Sequence, residues 1–181
     1  MVIVILGSPR DRDIGQQIVQ ALNGFGVASE VRIASAHKTP RHLLELLEKY
    51  EADPQPKVYI TVAGRSNALS GVVDAQVTAP VIACPPYSER FAGGDVLSSL
   101  RVPSGVAPAV VLEPSNAALL AAKILALTDA DLRRKLQTAQ EERCQRVVDA
   151  DRERDHGYGI AFSSKKSMKD HEPIGPLEGE I

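Results

Sequence analysis

The sequence predicts an α/β fold, a three-layer sandwich in which helices cover both faces of a doubly wound parallel sheet, with one further helix at the C-terminal end. Three observations predict it. Short β-branched apolar runs alternate with helical patterns from the first residue onward. The third of these runs, Val58–Val62, is apolar without in/out alternation, as a strand buried on both faces must be. The chain has 181 residues, 44% hydrophobic and 24% charged, which suits one domain with a sizeable core.

The first strand is Val2–Leu6, an apolar run with no basic segment before it and no cleavage signal after it, so it reads as a strand rather than a leader. A helix over 11–24 follows, with Ile14, Ile18 and Leu22 recurring every four residues and Gly24 and Gly26 closing it. Ser29–Ile33 is the second strand. The pattern over 42–50 predicts a helix that presents Leu43, Leu44, Leu46 and Leu47. Val58–Val62 is the third strand, and 81–84 and 109–112 supply a fourth and a fifth. The segment 116–127 is an alanine-rich helix that is apolar nearly all round, so most of it must be covered. An amphipathic helix over 129–148 carries Leu132, Leu136, Ala139 and Val147 on one stripe, with Thr128 and Asp131 spaced as a capping box. The surplus of apolar helix faces predicts a homo-oligomer. Residues 1–150 thus form a single α/β domain with its C-terminal helix, and 151–181 a charged, then Gly/Pro-containing flexible tail.

Charge and composition exclude several functions. A net charge of −2 gives no electrostatic footprint for nucleic acid or an anionic membrane, and no apolar run reaches the length of a membrane span. The two cysteines, Cys84 and Cys144, lie far apart and form neither a zinc motif nor a disulfide framework, which places the chain in the cytoplasm.

Ligands of such sheets bind beyond the carboxyl ends of the strands. Three stretches there carry polar chemistry. Gly7-Ser8-Pro9-Arg10-Asp11 joins the first strand to its helix and reads either as a phosphate cradle, built from helix N–H groups, a hydroxyl and a guanidinium, or as an ordinary capped turn. It is neither a P-loop nor a dinucleotide fingerprint, so no cofactor is implied. Ser35-Ala36-His37-Lys38 follows the second strand. His37 is a group that exchanges protons near neutral pH beside a cation, or else a histidine bonded to backbone. Ala63-Gly64-Arg65-Ser66-Asn67 follows the third strand and offers N–H and side-chain donors to a carboxylate, or a helix cap. Cys84 precedes Pro85-Pro86 with no base placed near it, and no ligand set for a metal emerges.

Together these stretches resemble the phosphoribosylaminoimidazole carboxylase (PurE-like) family. The likeness runs over about 2–127 and rests on Gly7-Ser8-x-x-Asp11, Ser35-Ala36-His37-Lys38 and the apolar helix from Asn116. Gly64-Arg65-Ser66-Asn67 is similar to the loop of the carbon-dioxide-using branch (class II), whereas the mutase branch has Gly-Gly-Ala-Ala-His-Leu-Pro-Gly there. The resemblance implies a flavodoxin-like fold and carboxylation of 5-aminoimidazole ribonucleotide with carbon dioxide in purine biosynthesis, with no metal or cofactor. It also implies a homo-octamer. By it, His37 moves the proton and Ser8 and Lys38 hold phosphate with Gly7 and Arg10 in the same loops. Asp11 holds ribose hydroxyls, Ser35 lines the site, and Ala63, Gly64, Arg65, Ser66 and Asn67 receive the carbon dioxide. Arg10 departs from the family, which has serine there. Competing expectations are the mutase, a related carboxylase of another ribonucleotide, and a non-catalytic nucleotide-sensing module of the same fold.

Overall fold

In a computed structural model, which describes residues 1–157, five strands form one sheet in the order β2-β1-β3-β4-β5, every neighbouring pair parallel. The strands are β1 (Val2–Leu6), β2 (Ser29–Ile33), β3 (Val58–Val62), β4 (Val81–Ala83) and β5 (Ala109–Val110). The helices are α1 (Arg12–Gly24), α2 (Pro40–Glu51), α3 (Ala68–Asp74), α4 (Leu97–Leu100), α5 (Pro114–Leu125) and α6 (Ala130–Gly157). β1 and β3 are buried at every residue, because they lie inside the sheet with helices on both faces. β2, at the edge, is only partly covered.

The period of two along each strand divides the core. Val2, Val4, Leu6, Val58, Ile60 and Val62 face one layer, with Ile18 and Leu22 of α1 and the alanines of α5. Ile3, Ile5 and Tyr59 face the other, with Leu43, Leu46 and Leu47 of α2 and Leu69 and Val73 of α3. The predicted three-layer sandwich is therefore the observed one, and strand order 2-1-3-4-5 is the flavodoxin-like arrangement.

Several boundaries move, each for a local reason. α2 and α5 begin earlier than the apolar pattern suggests because Pro40 and Pro114 occupy their first turns, where proline needs no hydrogen-bond partner for a missing N–H. A single 3-10 turn, Pro9–Asp11, precedes α1. The cap of α6 is Asp129, whose Oδ1 accepts from the Leu132 N–H at 2.9 Å, while the Thr128 hydroxyl turns back to the Leu125 carbonyl. Asp131 pairs with Arg134 rather than closing a capping box.

The expected apolar stripe of α6 is buried at Leu132 and Leu136, but Val147 is 70% exposed. The helix also runs on through residues 151–157, expected to begin the tail; the rest of that tail lies outside the described residues. By compactness the chain divides into Met1–Glu141 and Glu142–Ile181, and the sheet and the cleft described next belong to the first unit.

The alanine-rich α5 lies on α1 and β3, and Ala117, Ala118, Ala121 and Ala122 are fully buried there. Small side chains let that helix sit close to its neighbours within one chain. Its apolar composition therefore has an intramolecular explanation.

Candidate active site

β1 and β3 are adjacent, and the chain leaves them toward opposite edges of the sheet. Such a reversal opens a crevice at the carboxyl ends of the strands. A cleft of about 630 Å³ occupies it, within the usual range for a small-molecule site. The loop after β1 brings Gly7, Ser8, Arg10 and Asp11. The loop after β2 brings Ser35, His37 and Lys38. The loop after β3 brings Ala63, Gly64, Arg65 and Ser66. Of the residues expected at the site, Asn67 alone does not line the cleft.

Each loop is shaped by its own short-range bonds. Ser8 caps the 3-10 turn, its hydroxyl accepting from the Arg10 N–H at 3.3 Å. Asp11 stands at the N-cap position of α1, yet its carboxylate makes no capping bond to the helix. Burial holds that carboxyl above its ordinary range, partly offset by a hydrogen bond from the Ser8 backbone. Ser8 thus does the capping, while the Asp11 carboxylate, bonded to the Ser8 backbone and not to its own helix, lines the cleft.

The second loop is a knot tied by two hydroxyls. The Ser35 N–H donates to Thr39 Oγ1 at 2.9 Å, the Lys38 N–H donates to Ser35 Oγ at 3.2 Å, and the Thr39 N–H donates to the Ser35 carbonyl at 2.9 Å. The knot fixes the backbone between them, so His37 and Lys38 stand exposed at the rim of the cleft. The imidazole there is open to whatever enters the cleft.

The third loop carries the backbone exception of the site. Arg65 has φ +60, in the left-handed region that non-glycine residues seldom occupy. Asn67 is buried, 5% exposed, and its side chain is committed: Oδ1 accepts from the Ser70 N–H at 3.3 Å and Nδ2 donates to Ser99 Oγ at 2.9 Å. The helix-cap reading therefore wins for Asn67, which shapes the loop and does not reach into the cleft.

Two glycines let the loops meet. A Cβ on Gly7 would lie 3.0 Å from the Ala63 Cβ, and one on Gly64 would lie 3.1 Å from Pro86 Cγ. Pro86, Tyr87 and Ser88, after β4, complete the lining together with Ala36 and Leu69. Tyr87 carries no periodic signal in the sequence; the Pro85-Pro86 turn before it is the only hint. Cys84 is buried, its Sγ 3.7 Å from the Leu112 carbonyl, and burial with Glu113 nearby pushes its pKa up to about 12, so it is no nucleophile.

Chemically the described lining of the cleft offers three cations (Arg10, Lys38, Arg65) against one carboxylate (Asp11), with hydroxyls at Ser8, Ser35, Ser66, Tyr87 and Ser88 and one imidazole. Fold and site together define an α/β protein with a cleft at its topological switch point, lined by more cations than carboxylates and carrying an exposed imidazole at its rim. The comparisons with known proteins are specific. The chain belongs to the AIR carboxylase family, whose model matches residues 1–146. It is 49% identical over 151 residues to a phosphoribosylaminoimidazole carboxylase of Treponema denticola, across 83% of this chain and 95% of that one. It is 51% identical over 151 residues to one of Archaeoglobus fulgidus, across 83% of each. The crystal structure of Treponema denticola PurE superposes with a TM-score of 0.83 at 49% identity, covering 84% of this chain and 96% of the other.

Proposed function

We propose that this chain carboxylates 5-aminoimidazole ribonucleotide with carbon dioxide, giving 4-carboxy-5-aminoimidazole ribonucleotide in purine biosynthesis. The single observation that carries the site assignment is that His37, the Ser8 loop and the Arg65 loop line one cleft although they lie far apart in the sequence. Membership of the AIR carboxylase family and identity near one half to two proteins named phosphoribosylaminoimidazole carboxylase support the activity.

The ring amino group of the substrate pushes electron density onto the neighbouring ring carbon. That carbon attacks carbon dioxide, forming the C–C bond while one C=O electron pair becomes a carboxylate. The ring proton then leaves to an acceptor and aromaticity returns. The nucleophile needs no ATP, biotin or metal, only close placement of the two reactants and a base. In this reading Ser8, Arg10 and Lys38 hold the phosphate, and Asp11 accepts from ribose hydroxyls. The backbone of Ala63 and Gly64, with the side chains of Arg65 and Ser66, receives the carbon dioxide and then the carboxylate. His37 takes the ring proton and releases it to water.

The same reading includes a homo-oligomer and a cytoplasmic setting. Tyr87, which lines the cleft, and Phe91, Leu97 and Leu100 are large apolar residues that stand 48% to 76% exposed after β4, and they support association between copies. No described helix is long and apolar enough to cross a membrane, and Cys84 and Cys144 are both free thiols, which supports a reducing compartment.

The deciding assay supplies the purified protein with aminoimidazole ribonucleotide plus bicarbonate, and separately with the N5-carboxy isomer. Carboxylated product from the first alone is the expected result. Direct consumption of the isomer would show a mutase, and nucleotide binding without either reaction would show a sensing module.

A further inference from the structure

The loop that receives carbon dioxide in the reading above is not held by its own short-range bonds alone. Arg65 stands at φ +60, which costs a residue with a Cβ of the order of 1 kcal/mol unless its surroundings enforce it. What surrounds it is a segment about thirty positions further along the chain. The Arg65 N–H donates to Asp95 Oδ2 at 2.8 Å, and Ser98 Oγ lies 2.8 Å from the Arg65 carbonyl. The same Ser98 oxygen accepts from the Asn67 N–H at 3.0 Å, and Ser99 Oγ takes the Asn67 side-chain amide at 2.9 Å. Asp95 also lies against the backbone of Gly64, 3.7 Å from where a Cβ would stand.

The backbone N–H groups of Arg65 and Asn67 are thus both held by one short stretch, Asp95 to Ser99, in which the single proton of the Ser98 hydroxyl is shared between the Arg65 and Asp95 carbonyls, each 2.8 Å away. Asp95, Ser98 and Ser99 do not line the cleft. Nor does the Asp95 carboxylate form an ion pair within 4 Å among the described residues, so its bond to the Arg65 N–H is its defined engagement.

We infer that Asp95, aided by Ser98, is a positioning residue: it clamps Arg65 in the left-handed conformation and so aims the Gly64–Ser66 backbone and the Arg65 guanidinium at the carboxylate formed in the reaction. A charged acceptor is the stronger partner for a backbone N–H, and a clamp made before substrate arrives requires no rearrangement during the chemical step. The ribonucleotide phosphate and ribose are held by the other two loops, so the clamp governs turnover and carbon dioxide use rather than nucleotide affinity. This inference rests on the carboxylase reading and adds to it a residue outside the cleft.

The test compares Asp95→Ala, Asp95→Asn and Ser98→Ala in the full chain. Asp95→Ala is expected to lower kcat at least about tenfold, the scale of one hydrogen bond to a charged acceptor, with the KM for the ribonucleotide changed by less than about threefold. Asp95→Asn keeps an oxygen acceptor at the same place and is expected to restore most of the turnover. The exchange rate of the Arg65 amide proton, read by NMR or mass spectrometry, should rise in Asp95→Ala and return toward the parent value in Asp95→Asn.

Should Asp95→Ala fail to fold, Ser98→Ala leaves the Asp95 carboxylate in place, removes the hydroxyl's contacts with the Arg65 and Asp95 carbonyls and the Asn67 N–H, and is expected to move kcat and Arg65 exchange in the same direction. Unchanged kcat in folded Asp95→Ala, or an Asp95→Asn variant as slow as Asp95→Ala, overturns the clamp. Absence of carboxylation by the parent protein overturns the carboxylase reading instead, and the amide-exchange result separates the two failures.

Discussion

Gly7→Ala tests whether the cleft is built by contact between loops. The Cβ introduced at Gly7 would lie 3.0 Å from the Ala63 Cβ and 3.4 Å from the Val62 carbonyl oxygen. Carbon atoms rest about 3.5–4.0 Å apart, so the two loops must give way by about a few tenths of an ångström. Neither neighbour is able to swing aside, since one is a Cβ fixed to backbone and the other is backbone, already receiving the Gly7 N–H at 2.8 Å. Overpacking of this kind costs about 1–3 kcal/mol, or roughly 2–4 °C in Tm for each kcal/mol in a chain of this size. Turnover falls as well, by about tenfold, since a displacement of about 1 Å at reacting groups costs up to about 100-fold and this one is smaller. The assay is thermal unfolding together with steady-state carboxylation. The control is Gly24→Ala, where an added Cβ meets nothing within 4 Å. Gly24→Ala should leave kcat/KM unchanged and Tm equal or higher. A Gly7→Ala variant with the kcat/KM and Tm of that control would show that the two loops are not in contact at the cleft floor.

His37→Asn is expected to fold and bind ribonucleotide normally while turning over about 100-fold more slowly; near-parental turnover would remove the proton role. Asp11→Asn follows from linkage. Burial raises the Asp11 carboxyl above its ordinary value of 3.8, so the folded chain keeps the proton to higher pH than the unfolded one. Ionising it costs stability that develops as pH rises through that window and persists at neutrality. The variant should therefore have a higher Tm than the parent at neutral pH, a difference that disappears below pH 3.8, together with a higher KM. A lower Tm at neutral pH would refute it. In a thiol titration of the native protein one group, Cys144, should react readily, and Cys84 only after unfolding. Rapid reaction of both would show that Cys84 is reachable. Arg65→Gln should reduce kcat more than it raises the ribonucleotide KM, whereas Lys38→Gln should do the reverse; equal effects from both would remove the division of labour between the loops.

The strands β1 and β3 were legible because burial on both faces leaves an unbroken apolar signature, whereas β2, a partly covered edge strand carrying Glu30 and Arg32, was legible from the stretches that bound it, Gly24 to Gly26 before and Thr39-Pro40 after. Helix starts were less legible: apolar spacing marks the buried face and not the first turn, so Pro40 and Pro114 fell outside the predicted spans. The stretch from Pro85 to Pro108 gave no periodic signal, and it holds two 3-10 turns and the four-residue α4. Its bonds to Arg65 and Asn67 join positions 30–33 apart, a distance at which no local pattern speaks. The site was readable wherever chemistry and strand ends coincide, as at Ser8, His37 and Ser66. Asn67 misled because a cap and a ligand donor use the same side chain, and only the third dimension shows which is engaged.

The distribution of charge connects the fold to the reaction. The proposed substrate carries one anionic group, its phosphate; the product carries two, separated by the length of a nucleotide. A cleft matched to the substrate alone would gather its cations on one side. Here Arg10 and Lys38 stand on the loops after β1 and β2, while Arg65 stands on the loop after β3. Parallel strands deliver successive loops to the same sheet end, and the reversal at β1/β3 spreads them to either side of the crevice. In the proposed reading the third cation is therefore the one that meets negative charge only as the C–C bond forms. A cation so placed lowers the barrier more than it tightens substrate binding, because it meets its full counter-charge only late in the reaction.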